Sequence, residues 1–181
     1  MAHGLHQRHD GELGEHILPS VAQHFSHKEV IGPLDVTLTA TTQVHYHPLW
    51  TPTHRRYRLS ASVIATSGAT RFGIALRHDS HHDHSYHYTI DIPRQNVSFD
   101  RFPNEPWKTD NFDGVSRAFT VQSNRKITLE LLVEDDVCVL YVNNDMALSA
   151  RMYRDSSSPL ALFAMDGVVF FDNIIVTTAG E

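Results

Sequence analysis

A dense group of metal-capable side chains lies in the run RHDSHHDHSYHY, which covers residues 77–88. Within ten residues it holds seven side chains that can ligate zinc, nickel or copper: His78, Asp79, His81, His82, Asp83, His84 and His87. A metal centre needs ligands on a rigid frame with supporting hydrogen bonds, whereas this run straddles a predicted hairpin turn. We therefore predict no metal site and no cofactor, and at most adventitious metal capture by exposed histidines.

Three consecutive acids, Glu134, Asp135 and Asp136, raise the question of carboxylate catalysis. Glycoside hydrolysis needs two carboxyl groups that face one glycosidic bond, and adjacent residues at a bend do not provide that arrangement. The chain also contains no GxSxG, P-loop or HExxH sequence. We predict that the acids form a solvated turn, that there are no catalytic residues, and that this chain alone is not an enzyme.

Sugar recognition uses aromatic rings that stack on a sugar ring, together with Arg, Asp, Glu and Asn side chains that bind hydroxyl groups. Trp50 lies in HPLWTP, which predicts a proline-bracketed loop, and Trp107 lies in a long predicted loop from Pro103 to Gly114. Asp100 and Arg101 end the predicted strand before that loop. These four residues form the candidate carbohydrate site; the alternative for Asp100 and Arg101 is a salt bridge that orders the loop.

Composition excludes several classes of partner. The formal net charge of −6, from 15 Lys and Arg against 21 Asp and Glu, argues against nucleic acids and anionic membranes. No apolar run approaches the roughly 18 to 20 residues of a membrane span. The single cysteine, Cys138, lies between two valines in a predicted strand and is expected to be a buried thiol. Neutral partners such as sugars stay open, as do the compartment and the oligomeric state.

Strands dominate the chain from Val36 onward. Alternation is clearest at Ile127, Leu129, Leu131 and Val133, which share one face because side chains in a strand alternate with period two. Strands are predicted near 34–41, 57–65, 70–77, 85–92, 96–101, 117–122, 126–134, 136–143, 146–153, 160–165 and 168–177. Short strands at regular spacing are typical of an antiparallel sandwich or barrel.

Turn residues and the N-terminal segment complete the predicted organisation. Ser67-Gly68, Asn143-Asn144 and Asp166-Gly167 are placed in turns where a left-handed backbone is expected. Residues 1–30 are predicted to be a lead-in or linker, with a possible short helix in ELGEHILPSVAQHF. Residues 31–181 are predicted to form the β-sandwich domain.

Seven segments, in order, resemble the successive strands of the C-terminal β-sandwich module of glycoside hydrolase family 32, whose members cleave fructans and sucrose. They are YRLSASV, RFGIALR, YTIDI, VSFDR, ITLELLVEDDVCVLYVNN, ALSARMY and LALFAMDG, and they span roughly residues 57–178. The resemblance implies an all-β, two-sheet antiparallel sandwich of the concanavalin-like jelly-roll type. It also draws attention to Asp100 and Arg101, because the family has a similar Asp-Arg at the end of its matching strand.

The chain departs from the family in two respects. It contains none of the motifs of the family's catalytic propeller, which resemble WMNDPNG, RDP and a Glu-Cys pair. It also has EDDVCVLYVN where the family usually has a VDRSSVE bend followed by IFVN, so no role of the Arg-Ser-Ser part is carried over.

Three functions are compatible with the sequence. The first is a noncatalytic accessory module that supports the catalytic propeller of a family 32-like glycosidase through an apolar face. The second is an autonomous carbohydrate-binding module that recognises fructan or a related sugar through Trp107, Trp50, Arg101 and Asp100. The third is a metal-binding domain built on residues 78–87. An exposed apolar patch would favour the first, and a groove with aromatic and polar side chains would favour the second.

Overall fold

The protein is described by a computed structural model that covers residues 3–8, 11, 13–79, 84–102, 114–153 and 158–179. Within these ranges the chain forms fifteen strands and one helix of four residues, α1 (Pro19–Ala22). The strands are β1 (His3–Gln7), β2 (Leu13–Ile17), β3 (His27–Lys28), β4 (Val36–Ala40), β5 (His45–Trp50), β6 (Arg56–Ala65), β7 (Arg71–Asp79), β8 (His84–Asp91), β9 (Asn96–Phe102), β10 (Val115–Ala118), β11 (Lys126–Glu134), β12 (Val137–Val142), β13 (Met146–Arg151), β14 (Leu160–Met165) and β15 (Gly167–Thr178).

Two large sheets carry almost all of these strands. One sheet has six strands in the order β10-β9-β8-β7-β14-β5, and the other has seven in the order β13-β12-β11-β6-β15-β3, with β4 also pairing with β15. Every pairing among the described strands is antiparallel. The predicted all-β, antiparallel β-sandwich is therefore confirmed.

Alternation along the strands builds the core between the sheets. In β6, the buried positions Tyr57, Leu59, Ala61, Val63 and Ala65 alternate with partly exposed ones. The predicted inward row of β11, from Ile127 to Val133, packs into the same cluster. Because period-two alternation aims every second side chain at the opposing sheet, both strands present their apolar row to one shared core.

Tyr88 and Cys138 meet in the centre of this core. The hydroxyl of Tyr88 lies 2.9 Å from the carbonyl oxygen of Leu148 and 3.0 Å from that of Cys138, so it satisfies acceptors on two strands. Burial raises the pKa of the Cys138 thiol to about 12. The thiol therefore stays protonated near neutral pH and packs as a small apolar group, as the sequence predicted.

Three of the predicted turns can be compared with their backbone angles. Asn143 and Asn144 are left-handed, with φ of 56° and 52°. Gly167 has φ of 63°, and a Cβ there would meet the backbone nitrogen of Ala69 at 2.3 Å, so glycine is required. Gly68 does not have a positive φ, and the expectation of a left-handed backbone there was wrong.

Two local predictions before residue 51 need correction. The segment with a possible short helix contains one, but this helix is limited to Pro19–Ala22, and Leu13 and Ile17, which were expected on its apolar face, lie in a strand. Proline at 19 keeps the preceding residue extended, which separates the two elements. Trp50 does not lie in a loop but ends β5, an edge strand of the six-stranded sheet. An edge strand tolerates Pro48 because one side of its backbone needs no partner.

The N-terminal segment packs on the outer face of the seven-stranded sheet. The strands β1 and β2 form a hairpin, and the backbone N–H of Ala147 donates to Glu15 Oε2 at 3.1 Å. Arg117 forms an ion pair with the same carboxylate. Behind the hairpin lies a second apolar cluster, which consists of Ile17, Leu132, Val139, Tyr141 and Ala147, with Val21, Ala22 and Phe25 packed against it.

Candidate carbohydrate-binding groove

A groove of about 240 Å³ runs along the outer face of the six-stranded sheet. It exists because β8 buries Tyr86, Tyr88 and Ile90 in the core and therefore turns its alternate residues outward. Strands β5, β7, β9 and β14, together with the residue before β5 and the turn between β8 and β9, contribute the remaining walls. The lining residues are Val44, Tyr46, Arg71, His87, Thr89, Asp91, Arg94, Ser98, Asp100, Arg101, Phe102, Phe163 and Met165.

Small residues form the floor of the groove. A Cβ on Gly73 would meet the carbonyl oxygen of Tyr88 at 1.9 Å and the ring of Phe163 at 3.3 Å, so only glycine fits beneath that ring. Ala75 and Ala161 are buried beside Phe163 in the same outer cluster. The low floor lets aromatic rings lie across the sheet surface instead of standing away from it.

Aromatic rings line one side of the groove. His87 stacks on Phe163 with ring centroids 4.7 Å apart, and on Phe102 with centroids 5.5 Å apart. Tyr46 stacks on His78 at 4.4 Å and also contacts His87. Phe102 lies at the open end of this series and is 40% exposed, so it offers an apolar ring surface to a ligand.

His87 is neutral over most of the physiological pH range. Burial among the rings lowers its pKa to about 4, and the nearby His78 adds a smaller effect in the same direction. Its Nε2 lies 2.7 Å from the hydroxyl of Ser85 and 3.3 Å from that of Tyr46. A neutral imidazole at the centre of the groove avoids placing an unpaired charge among aromatic rings.

Two arginines and a buried carboxylate form the polar rim. Asp91, whose side chain is 5% exposed, accepts a hydrogen bond from Arg71 Nε at 2.8 Å and from the backbone N–H of Arg94 at 2.9 Å. Asp91 therefore fixes the Arg71 guanidinium beside the groove and anchors the backbone of Arg94, whose exposed guanidinium lies 3.9 Å from the same carboxylate. A guanidinium group held like that of Arg71 suits donation of hydrogen bonds from its free N–H groups to hydroxyl oxygens, and the Arg94 guanidinium is a second donor within reach of the groove.

Asp100 supplies an acceptor on the opposite rim. It lies directly across the strand pair from His87, and its Oδ1 accepts a hydrogen bond from the backbone N–H of Arg101 at 2.7 Å. Partial burial raises the pKa of this carboxyl group, whereas the contacts with Arg101 lower it. The groove thus combines an aromatic surface, cationic donors and a carboxylate acceptor, which is the combination that a neutral polyhydroxyl ligand needs.

The structure places the predicted sugar-site residues in different surroundings. Asp100 and Arg101 line the groove. Trp50 does not; it packs edge-on against Tyr57, with ring centroids 5.2 Å apart, next to the core. Trp107 lies outside the described residues, as do residues 103–113 of its predicted loop. The sequence missed Phe102, Phe163, Tyr46 and Arg71, although the outward row of β8 was a signal for this face.

The histidine-rich run is only partly covered. His78 and His87 belong to the aromatic side of the groove, whereas His81, His82 and Asp83 lie outside the described residues. Within the part of the chain that the structure describes, no three His, Cys, Asp or Glu side chains are grouped so that they could hold a metal ion. The same residues contain no helix long and apolar enough to cross a membrane.

The architecture defines the chain as a two-sheet antiparallel β-sandwich module. Residues 23–178 match the family model described as "Glycosyl hydrolases family 32 C terminal". The chain therefore belongs to this family, as the sequence resemblance predicted. The C-terminal domain is noncatalytic in members of the family.

Solved structures share the fold at low sequence identity. A β-fructofuranosidase of Aspergillus kawachii aligns with a TM-score of 0.70 and 19% identity, over 93% of this chain and 30% of that one. An exo-inulinase of Aspergillus awamori aligns with a TM-score of 0.68 and 15% identity, over 99% of this chain and 35% of that one. This chain thus spans about a third of the length of these enzymes.

A carbohydrate-binding module, CBM66 of Bacillus subtilis, aligns with a TM-score of 0.57 and 13% identity, over 98% of this chain and 92% of that one. Such likenesses show the fold alone. None of the curated proteins matches this sequence.

Proposed function

We propose that this module is noncatalytic and that it binds neutral carbohydrate in the groove of the six-stranded sheet. The observation that carries the proposal is the junction of an exposed aromatic ring, Phe102, with the rim of Arg71, Arg94 and Asp100 across a single concave surface. A saccharide presents both apolar C–H faces and vicinal hydroxyl groups, so it satisfies both sides of the groove at once. Support also comes from the alignment with CBM66, which spans nearly the whole of both chains.

Fructans are the first sugars to test, because the aligned enzymes include an exo-inulinase and a β-fructofuranosidase. Calorimetry with levan and inulin should show binding to the wild-type protein. Phe102→Ala should weaken it about tenfold, or about 1.4 kcal/mol, the scale of a lost aromatic contact at a binding hot spot. The matched control is Phe170→Ala on the other sheet, because Phe170 is 39% exposed and should not affect binding. Equal affinities in both variants would contradict this site.

Absence of catalysis is tested separately. Purified protein should release no reducing sugar from sucrose, inulin or levan. Turnover that disappears when any acid of the 134–136 bend is replaced would overturn the noncatalytic proposal.

Support of a catalytic propeller is the second candidate function. Val30 and Leu34 are exposed apolar side chains on the segment that runs beside β15, where Ile174 donates a backbone hydrogen bond to the carbonyl of Leu34 at 2.9 Å. Exposed apolar residues of this kind are suited to an interdomain contact. The coding sequence upstream of this chain decides the matter: WMNDPNG-like residues there would support the role, and their absence would remove it.

A further inference from the structure

A second and larger cavity, of about 610 Å³, lies at one end of the sandwich. Its walls are the segment that follows β5, the end of β7 and the acidic bend between β11 and β12. We propose that this end cleft is a second saccharide site, separate from the groove. Its lining residues are Pro52, Thr53, His54, Arg55, Tyr57, Arg77, Val133, Asp135 and Asp136.

Arg77 is the fixed cation of the end cleft. The pairing of β7 with β8 shifts register between Leu76 and Asp79, and Arg77 there adopts a φ of 51°, which is unusual for a bulky residue. Its side chain is 8% exposed, and its Nη2 donates to the carbonyl oxygen of Asp135 at 2.8 Å and to Asp136 Oδ1 at 3.1 Å. The guanidinium is therefore held in place before any ligand arrives.

These contacts position Asp135 and Asp136 but leave carboxylate oxygens of both residues able to accept further hydrogen bonds. The backbone N–H of Asp135 donates to the carbonyl of Arg55 at 2.9 Å, which ties the acidic bend to the segment after β5. The side chains of Asp135 and Asp136 are 50% and 60% exposed, respectively. Since a carboxylate has about four acceptor positions, both retain capacity for hydroxyl donors.

Charge balance indicates the class of ligand. Arg77 pairs with Asp136, and Arg55 lies 3.6 Å from Asp135, so the polar walls carry two positive and two negative groups. An ionic ligand would be attracted by one pair member and repelled by the other. A neutral polyhydroxyl ligand can donate to the carboxylates and accept from the cations, and the cavity volume lies within the usual range of small-molecule sites.

A rigid aromatic wall backs the end cleft. Tyr57 is buried, and Trp50 packs edge-on against its ring. The segment carrying Trp50 and the acidic bend of residues 134–136, which are far apart in the sequence, therefore meet at this cavity. With the groove on a sheet face and the end cleft at the sandwich end, one module has two places for one polysaccharide, which raises avidity when both are occupied.

The test is an NMR titration of backbone amides with sucrose and with short inulin oligosaccharides. Amides of residues 53–57 and 133–136 should shift in the wild-type protein and equally in Thr89→Trp, which fills the groove. Thr53→Trp fills the exposed rim of the end cleft. It should lower the sugar affinity obtained from those shifts at least tenfold, while the groove amides still shift on titration. Asp136→Asn, which keeps the side-chain size, should act in the same direction, and melting curves establish that both variants fold.

Three results would overturn the proposal. They are the absence of amide shifts in residues 53–57 and 133–136 with either sugar, the persistence of these shifts in Thr53→Trp, and their loss in Thr89→Trp. The last result would mean that the end cleft responds only through the groove. Groove binding can fail or succeed independently of all three, because its amides are followed separately in each spectrum.

Discussion

His87 makes the stability of the protein depend on pH in a calculable way. Its pKa is about 4 in the folded protein and about 6.5 in an unfolded chain. Between these values the unfolded state binds a proton that the folded state does not bind. The contribution of His87 to the free energy of unfolding is therefore fully present above about pH 6.5 and is lost as the pH falls towards about 4. A difference of about 2.5 pH units at 1.36 kcal/mol each corresponds to a loss of about 3 kcal/mol.

Urea unfolding followed by circular dichroism at pH 7, 6, 5 and 4.5 measures this loss. His87→Phe keeps a ring between Phe163 and Phe102 but cannot titrate, so its unfolding free energy should fall less than that of the wild type. His87→Asn loses the ring and should be less stable at pH 7, yet it should share the flatter pH dependence. Both variants retain Asp100, whose raised pKa acts in the opposite direction, so that contribution cancels in the comparison.

The reasoning fails if the wild type and both variants give parallel curves of unfolding free energy against pH. It also fails if the curve of unfolding free energy against pH is flatter for His87→Phe but not for His87→Asn, because that result would trace the effect to packing and not to proton binding.

Three further predictions concern single features. Trp107→Ala should weaken fructan binding by about 1 to 3 kcal/mol with little change in melting temperature, as measured by affinity electrophoresis and thermal melts; unfolding of the variant would instead place this residue in the core. Gly73→Ala should destabilise the protein by about 2 to 3 kcal/mol in the same urea assay, because the added Cβ would clash with the carbonyl oxygen of Tyr88. The control is Gly68→Ala, which should be tolerated because its Cβ would lie 3.6 Å from its nearest neighbour, the Cα of Gly167. Melting curves with and without a chelator should superimpose, and a loss of more than about 10 °C would reveal a structural metal.

The sequence predicted the sandwich because its information is local and periodic. The row from Ile127 to Val133 needs only alternation to be assigned, and the turn at Asp166-Gly167 needs only its residue types. Strand β5 could not be found in this way, because Pro48 and the surrounding polar residues hide its pattern. It becomes a strand through pairing with β14, which is more than 100 residues away in the chain.

The candidate site was harder to predict than the fold. Asp100 and Arg101 were found through the family's similar Asp-Arg at the end of the matching strand, but Phe163 and Tyr46 come from strands that only the sheet order brings beside β8. The end cleft shows the same limit: its acids looked like an ordinary solvated bend until Arg77 and the segment after β5 were placed against them. Local patterns identify strands, whereas sites depend on which strands become neighbours.

The hairpin of β1 and β2 determines which N-terminal boundary should be chosen when this protein is expressed. The family match begins at residue 23, downstream of the hairpin and of Ile17. Protein trimmed to that boundary would leave the outward side chains of Leu132, Val139 and Tyr141 facing water, and bare apolar surface of this kind promotes self-association. The start of the family match and the start of a protein that covers its apolar surface therefore differ by about twenty residues. The longer protein, which includes the hairpin, is the one to purify.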